Sequence, residues 1–134
     1  MVRREDGGVR KENKMFSLLK YRFQKNIKWP LQRAKKGYSD VDLWNIKDWF
    51  MENISKMLIE LSTRNMGYPG TDDYPTDESW KADLKKYGMM AQEISEFDFW
   101  DEEGEYHPEK QEEYEKLKRD FFDWFVKNFE DLWD

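Results

Sequence analysis

The sequence predicts an all-α protein: a small helical bundle of three principal helices, with a short extra helix and a basic N-terminal arm. Three observations predict it. Apolar residues recur at spacings of three and four over three long stretches, which is the helical period. Clusters of glycine and proline separate those stretches. No stretch alternates apolar and polar residues as a half-buried strand does.

The first principal helix is expected near residues 46–64. Its stripe is Ile46, Phe50, Ile54, Met57 and Leu61, widened by Trp49 and Leu58. Ser39 or Asp40 can cap a short helix that runs to Asn45, because a short polar side chain accepts from the open N–H groups of a first turn. Residues 63–75 hold two glycines and two prolines and form a loop. Pro75-Thr76 opens the second helix, near 76–97, with Asp77 and Glu78 close to its positive end. Trp80, Leu84, Tyr87, Ala91 and Ile94 make a narrow packing seam along it. An acidic loop over 98–108 contains Gly104 and Pro108. The third helix, near 109–132, carries Tyr114, Leu117, Phe121, Trp124, Asn128 and Leu132. A second stripe of Phe122, Phe125 or Val126, Phe129 and Trp133 lies beside the first. That helix is either central to the core or a docking surface. Trp49, Phe50, Leu84, Ile94, Leu117 and Phe121 are the expected core.

Upstream of these helices the chain changes character. Residues 1–14 are polar and carry two glycines, so a disordered basic tail is expected. Residues 15–134 are read as a single helical domain, in which 15–36 hold short helical or extended pieces and Pro30 interrupts any long helix.

Charge is divided by position. Residues 1–36 hold 12 Lys/Arg against 3 Asp/Glu, a net of +9. Residues 37–134 hold 11 Lys/Arg against 26 Asp/Glu, a net of −15. The acidic body repels bulk nucleic acid and favours partners with a basic surface. Seven Trp, seven Tyr and nine Phe supply a core although charged residues make up 39% of the chain. There is no cysteine, which excludes disulfides and thiolate metal sites. The opening residues lack the apolar segment of a secretory signal, and no apolar run reaches the roughly 20 residues of a membrane span. A soluble, intracellular protein without membrane contact is expected.

The run Trp29-Pro30-Leu31-Gln32-Arg33-Ala34-Lys35-Lys36-Gly37-Tyr38-Ser39-Asp40-Val41-Asp42-Leu43-Trp44-Asn45 is distinctive. So are Gly67-Tyr68-Pro69 and the ending Asp131-Leu132-Trp133-Asp134. Over roughly residues 20–134 the chain resembles a group of small uncharacterised proteins carried by tailed phages and prophages. The resemblance implies a phage accessory protein that acts in the host cytoplasm or in particle assembly. It implies no activity and no site residues.

Four constellations invite a functional reading. Asp40, Asp42, Trp44 and Asn45, with Asp98, Asp101, Glu102 and Glu103 of the acidic loop, can present carboxylates and an indole to a partner protein. The mundane alternative has Ser39 and Asn45 as caps and Trp44 packed inward. Lys20, Arg22, Lys25, Lys28, Arg33, Lys35 and Lys36 are interleaved with Phe16, Tyr21, Phe23 and Trp29. Cations on phosphates with rings on bases is the pattern of sequence-tolerant nucleic-acid contact. Those cations can equally neutralise the acidic body. The acidic loop lacks the alternating ligands of a calcium loop. His107, the only histidine, cannot build a His-based zinc site within one chain. Neither a metal nor a cofactor is therefore expected.

The fourth constellation is a pair of acid-x-x-acid motifs, Glu93 with Glu96 and Asp120 with Asp123. Residues three apart share a helix face. Four converging carboxylates could hold magnesium. The arrangement looks distantly like the all-α nucleotide pyrophosphohydrolases. It departs from them in lacking an additional acid in the first motif and a basic residue to grip phosphate. Nucleophilic catalysis has no support, since cysteine is absent and no Gly-x-Ser-x-Gly turn occurs. The leading expectation is a non-enzymatic, phage-encoded interaction protein, an acidic inhibitor of a host defence or nucleic-acid enzyme. A virion-associated or assembly subunit and a magnesium-dependent hydrolase are the alternatives.

Overall fold

The computed structural model describes the backbone of residues 2–134 and the side chains from Asn13 onward. The tail expected over 1–14 falls almost entirely outside the residues whose side chains are described. The protein is all-α. Among the described residues no strand forms, and one isolated bridge joins Trp100 to Tyr106. The chain divides into two compact units, Met1–Ile46 and Lys47–Asp134.

In the first unit, α1 (Val2–Phe23) runs through a π-helical turn (Gln24–Lys28) into α2 (Trp29–Lys36). Pro30 was expected to interrupt any long helix here: the α-helical ladder does break just ahead of it, at the π turn, while helical structure runs on through it. Proline cannot donate a backbone N–H, and its ring crowds the carbonyl four residues back. The chain widens one turn ahead of Pro30, so that the Trp29 N–H reaches the Gln24 carbonyl, a π-type bond. Gly37 then stops α2 in the left-handed conformation, with φ of 84°, which glycine adopts at no steric cost. Its N–H bonds the Arg33 carbonyl. A 3₁₀ helix (Asp40–Asn45) follows, the short helix anticipated from Ser39 and Asp40. Trp29 is buried between Tyr21 and Trp44, which meet it edge-on at 6.0 and 5.7 Å.

The second unit holds α3 (Ile46–Arg64), α4 (Asp77–Ser95) and α5 (Lys110–Lys127), followed by a short 3₁₀ turn (Phe129–Asp131). All three principal helices lie where the apolar periodicity placed them. Thr76 caps α4 by accepting from the Ser79 N–H, and the Ser79 side chain answers it. The third helix ends sooner than expected. The Asn128 side chain bonds the Trp124 carbonyl, and its backbone leaves the helical region.

The core is Met51, Leu58, Tyr74, Trp80, Leu84, Ala91, Ile94, Tyr114, Phe121 and Trp124. Leu84, Ile94 and Phe121 are buried as expected, whereas Trp49, Phe50 and Leu117 are only half-buried. Phe50 stacks on Phe122 at the edge of the core. The largest correction concerns α3. Ile46 and Met57, expected inside, are each 60% exposed. The buried face is Met51, Ser55, Leu58 and Ser62, a helical 4-3-4 spacing half made of serine. Steric closeness explains it: a Cβ placed on Gly88 of α4 would lie 2.8 Å from Ile59 Cγ1 and 3.1 Å from the Ile59 amide nitrogen. Helices that approach so near need small residues at the contact.

Candidate interaction surfaces

Both candidate carboxylates of the first unit, Asp40 and Asp42, are spent on three of its candidate cations, Lys28, Arg33 and Lys36. Arg33 grips Asp42 with two bonds, Nε to Oδ2 at 3.0 Å and a terminal nitrogen to Oδ1 at 2.8 Å. The Ser39 N–H and hydroxyl also donate to Asp42 Oδ2, which closes a capping box around a fully buried serine. The Arg33 guanidinium, followed by the Ser39 donors, holds the Asp42 carboxyl down to about 2. Asp40 accepts from Gln32 Nε2 and pairs with Lys28 at 3.4 Å and Lys36 at 3.8 Å. The bond from Gln32, then the lysines, lowers its pKa as well. The most distinctive stretch of the sequence is thus a structural clasp of α2 onto its following turn.

Trp44 remains 74% exposed and Asn45 is exposed. Lys20, Arg22 and Lys35 form no ion pair among the described residues, and Lys25 lies over the Tyr21 ring. Beside these cations, Phe16, Leu19, Phe23, Ile27 and Leu31 stand exposed at helical spacing.

The acidic loop is internally organised. Asp101 Oδ1 accepts from the Glu105 N–H, and the Trp100–Tyr106 bridge closes a tight turn through Gly104 at φ 82°. His107 is clamped between Asp101, at 2.7 Å from Nε2, and Glu109, at 2.6 Å from Nδ1. These two hydrogen bonds raise the His107 pKa; the imidazole lowers that of Asp101, and a backbone N–H, then the imidazole, lowers that of Glu109. Asp101, Glu105 and His107 place ligand atoms within 4.8 Å of one another. Both ring nitrogens already face a carboxylate, so a metal would have to displace one. Asp98 caps the Trp100 N–H, while Glu102 and Glu103 are exposed and form no ion pair.

The two acid-x-x-acid pairs do not come together. Glu93 and Glu96 line a shallow groove beside Lys85 and Lys86, and Glu96 also borders a groove with Asp48, Glu52 and Lys56. Asp120 and Asp123 line a different cleft. No cluster of the four forms among the described residues, and the magnesium reading loses its geometric basis.

The cleft at Asp120 and Asp123 encloses about 480 Å³ and gathers residues from three places. Asp73 and Tyr74 come from the loop before α4, Asp83, Lys86 and Tyr87 from α4, and Asp120, Asp123, Trp124 and Lys127 from α5. Its floor is a hydrogen-bonded chain. Trp124 Nε1 donates to the Tyr74 hydroxyl at 2.6 Å, and that hydroxyl donates to Asp83 Oδ2 at 2.8 Å. Tyr87 stacks flat on Trp124 at 4.4 Å. Burial, and then the bond to Asp83, push the Tyr74 phenol above its ordinary range. Four carboxylates face two lysines, of which Lys127 is tied to Asp73 at 2.6 Å, and Asp120 also pairs with Lys116 from outside the cleft at 3.4 Å. The remaining excess of negative charge suits a cationic ligand. Sequence reading missed Tyr74, Asp83, Tyr87 and Lys127 as neighbours. Their one signal was a loop tyrosine next to Asp73 and Pro75, which gives no hint that its hydroxyl ends up inside.

Comparison with protein families, curated proteins and solved structures finds no match to this chain. Among the described residues no helix is long and apolar enough to cross a membrane.

Proposed function

We propose that this chain is a non-enzymatic interaction protein whose acidic helical unit occupies a basic surface of another protein. Residues 47–134 carry 24 Asp/Glu against 11 Lys/Arg. The observation that supports the reading is the cleft of Asp73, Asp83, Asp120 and Asp123 over Tyr74 and Trp124. Its rim offers carboxylates, which an arginine- or lysine-rich segment needs. The finer reading, from the sequence resemblance, is a phage-encoded inhibitor in the host cytoplasm that covers the nucleic-acid channel of a host defence or nucleic-acid enzyme. Calorimetry with an arginine-rich peptide tests the binding mode. Affinity should fall steeply as salt rises, and should fall again in an Asp120→Asn/Asp123→Asn variant. Absence of binding at low salt would refute it. For the finer reading, the protein recovered from infected cells should carry a basic nucleic-acid enzyme and suppress that enzyme's nucleic-acid binding.

A second reading, an assembly or virion-associated subunit, draws on one observation. Val126, at the end of α5, and Phe129, in the 3₁₀ turn that follows, are 73% and 58% exposed. Concentration-dependent self-association, abolished by Val126→Glu and Phe129→Glu, would favour it over the first.

A further inference from the structure

We propose that a cavity formed by the loop after α3, Trp80 and the C-terminal segment 131–134 is a binding site for a guanidinium group, the arginine side chain of a protein partner. The cavity encloses about 300 Å³ and is lined mainly by Tyr68, Pro69, Trp80, Asp131, Trp133 and Asp134. That is the lower end of the range for small-molecule pockets, room for one long side chain. It brings together two stretches far apart in sequence, Gly67-Tyr68-Pro69 and Asp131-Leu132-Trp133-Asp134.

Its functional groups are unspent. Tyr68 is 49% exposed and Trp133 71% exposed, and neither ring pairs with another ring or with a cation among the described residues. Many other rings of this unit pack on one another. Asp131 is half-buried, yet its carboxylate accepts no hydrogen bond and joins no ion pair among the described residues. Asp134 is different: Arg64 donates its Nε to Asp134 Oδ2 at 3.2 Å. The rim therefore already shows one guanidinium–carboxylate contact, and the cavity beside it keeps one carboxylate and two ring faces without a partner.

A guanidinium satisfies both at once. It is flat and weakly hydrated, so it stacks on an indole or phenol, and its fork of N–H groups meets a carboxylate. An ammonium gains the attraction of the ring but lacks the planar fork. A phosphate or carboxylate ligand meets two like charges. The site rests on the reading of this chain as a binder of basic proteins, because such a partner supplies the arginine. Its chemistry does not depend on the Asp120–Asp123 cleft.

The test uses the full chain and N-acetyl-arginine methylamide as the probe, followed through the indole N–H resonances. Saturable shifts are expected at Trp133 and Trp80. Asp131→Asn and Trp133→Ala should each weaken the binding about tenfold, as loss of a charge-assisted or cation–π contact does. The citrulline analogue has the same shape without the charge and should not bind. Equal shifts with citrulline, or an unchanged affinity in Asp131→Asn, would overturn the assignment. If the arginine-rich peptide binds but the small probe does not shift Trp133, the cavity assignment alone fails. Should the probe bind while the peptide does not, the cleft reading fails and the cavity stands.

Discussion

Trp124 and Tyr74, fifty positions apart, meet in a 2.6 Å hydrogen bond from indole to phenol. Both are buried, Tyr74 also contacts Trp80 edge-on at 4.8 Å, and its proton goes on to Asp83. The loop before α4 is fastened to α5 through this hydroxyl and through the ion pair of Asp73 with Lys127.

Tyr74→Phe should therefore cost more than a lost surface bond. It leaves a buried indole N–H without an acceptor, a penalty of about 1–3 kcal/mol. Thermal unfolding followed by circular dichroism measures it; a loss below about 0.5 kcal/mol would place the change among ordinary surface substitutions. In the wild type the hydroxyl should stay protonated near pH 10, where a free phenol ionises. The contribution is complete below that pH and is lost as pH climbs from there through the raised native value.

Gly88→Ala sets two effects against each other. Alanine favours a helix over glycine by about 1 kcal/mol. The new Cβ would, however, sit 2.8 Å from Ile59 Cγ1, 3.2 Å from Leu58 Cβ and 3.1 Å from a backbone nitrogen that cannot rotate away. Overpacking of that kind costs about 1–3 kcal/mol. Urea denaturation should show net destabilisation, and a stabilised variant would mean that α3 and α4 do not approach so closely.

Asp42→Ala should loosen the first unit by about 1 kcal/mol, since it removes the reciprocal cap of Ser39 and the two bonds that Arg33 makes to Asp42. Amide exchange at Ser39, whose N–H donates to Asp42, should quicken. Because the folded carboxyl lies near 2 against an ordinary 3.8, its contribution is complete above the ordinary value and is lost as pH falls from there toward 2. Exchange at Ser39 that is insensitive to both the substitution and acid would contradict the clasp.

The His107 clamp has an opposite sign on its basic side. A raised imidazole pKa means that its contribution is full below the ordinary 6.5 and disappears as pH rises through the native value. Asp101 and Glu109 have lowered values, so their part is lost in acid. The turn over 98–109 should be tightest in the window between. A ¹⁵N titration of His107 checks this: an imidazole that titrates below its ordinary value would refute the clamp, and His107→Gln should erase the pH dependence of exchange at Glu105.

Much of the architecture was legible in the amino-acid order because helical period and breakers are local. Trp80, Leu84, Ala91 and Ile94 repeat on one face whatever they pack against, and the glycines and prolines between 67 and 75 admit no helix. The cap at Thr76 and the short helix at Asp40 follow from side chains that bond within three residues. What only the tertiary structure decided depends on neighbours remote in sequence. Ser55 and Ser62 became core residues because Gly88 lets α4 come near, a fact about distance that hydrophobicity does not encode. Asp40 and Asp42 turned from candidate partner contacts into a clasp because the chain reverses at Gly37 and brings Gln32 and Arg33 against them. The carboxylates of 93, 96, 120 and 123 share helix faces in pairs, yet the rotation of each helix sends the two pairs to different grooves. Charge and period belong to the chain alone. Which charges meet, and which rings are left uncovered around Asp131, is set by how the helices and loops close on one another.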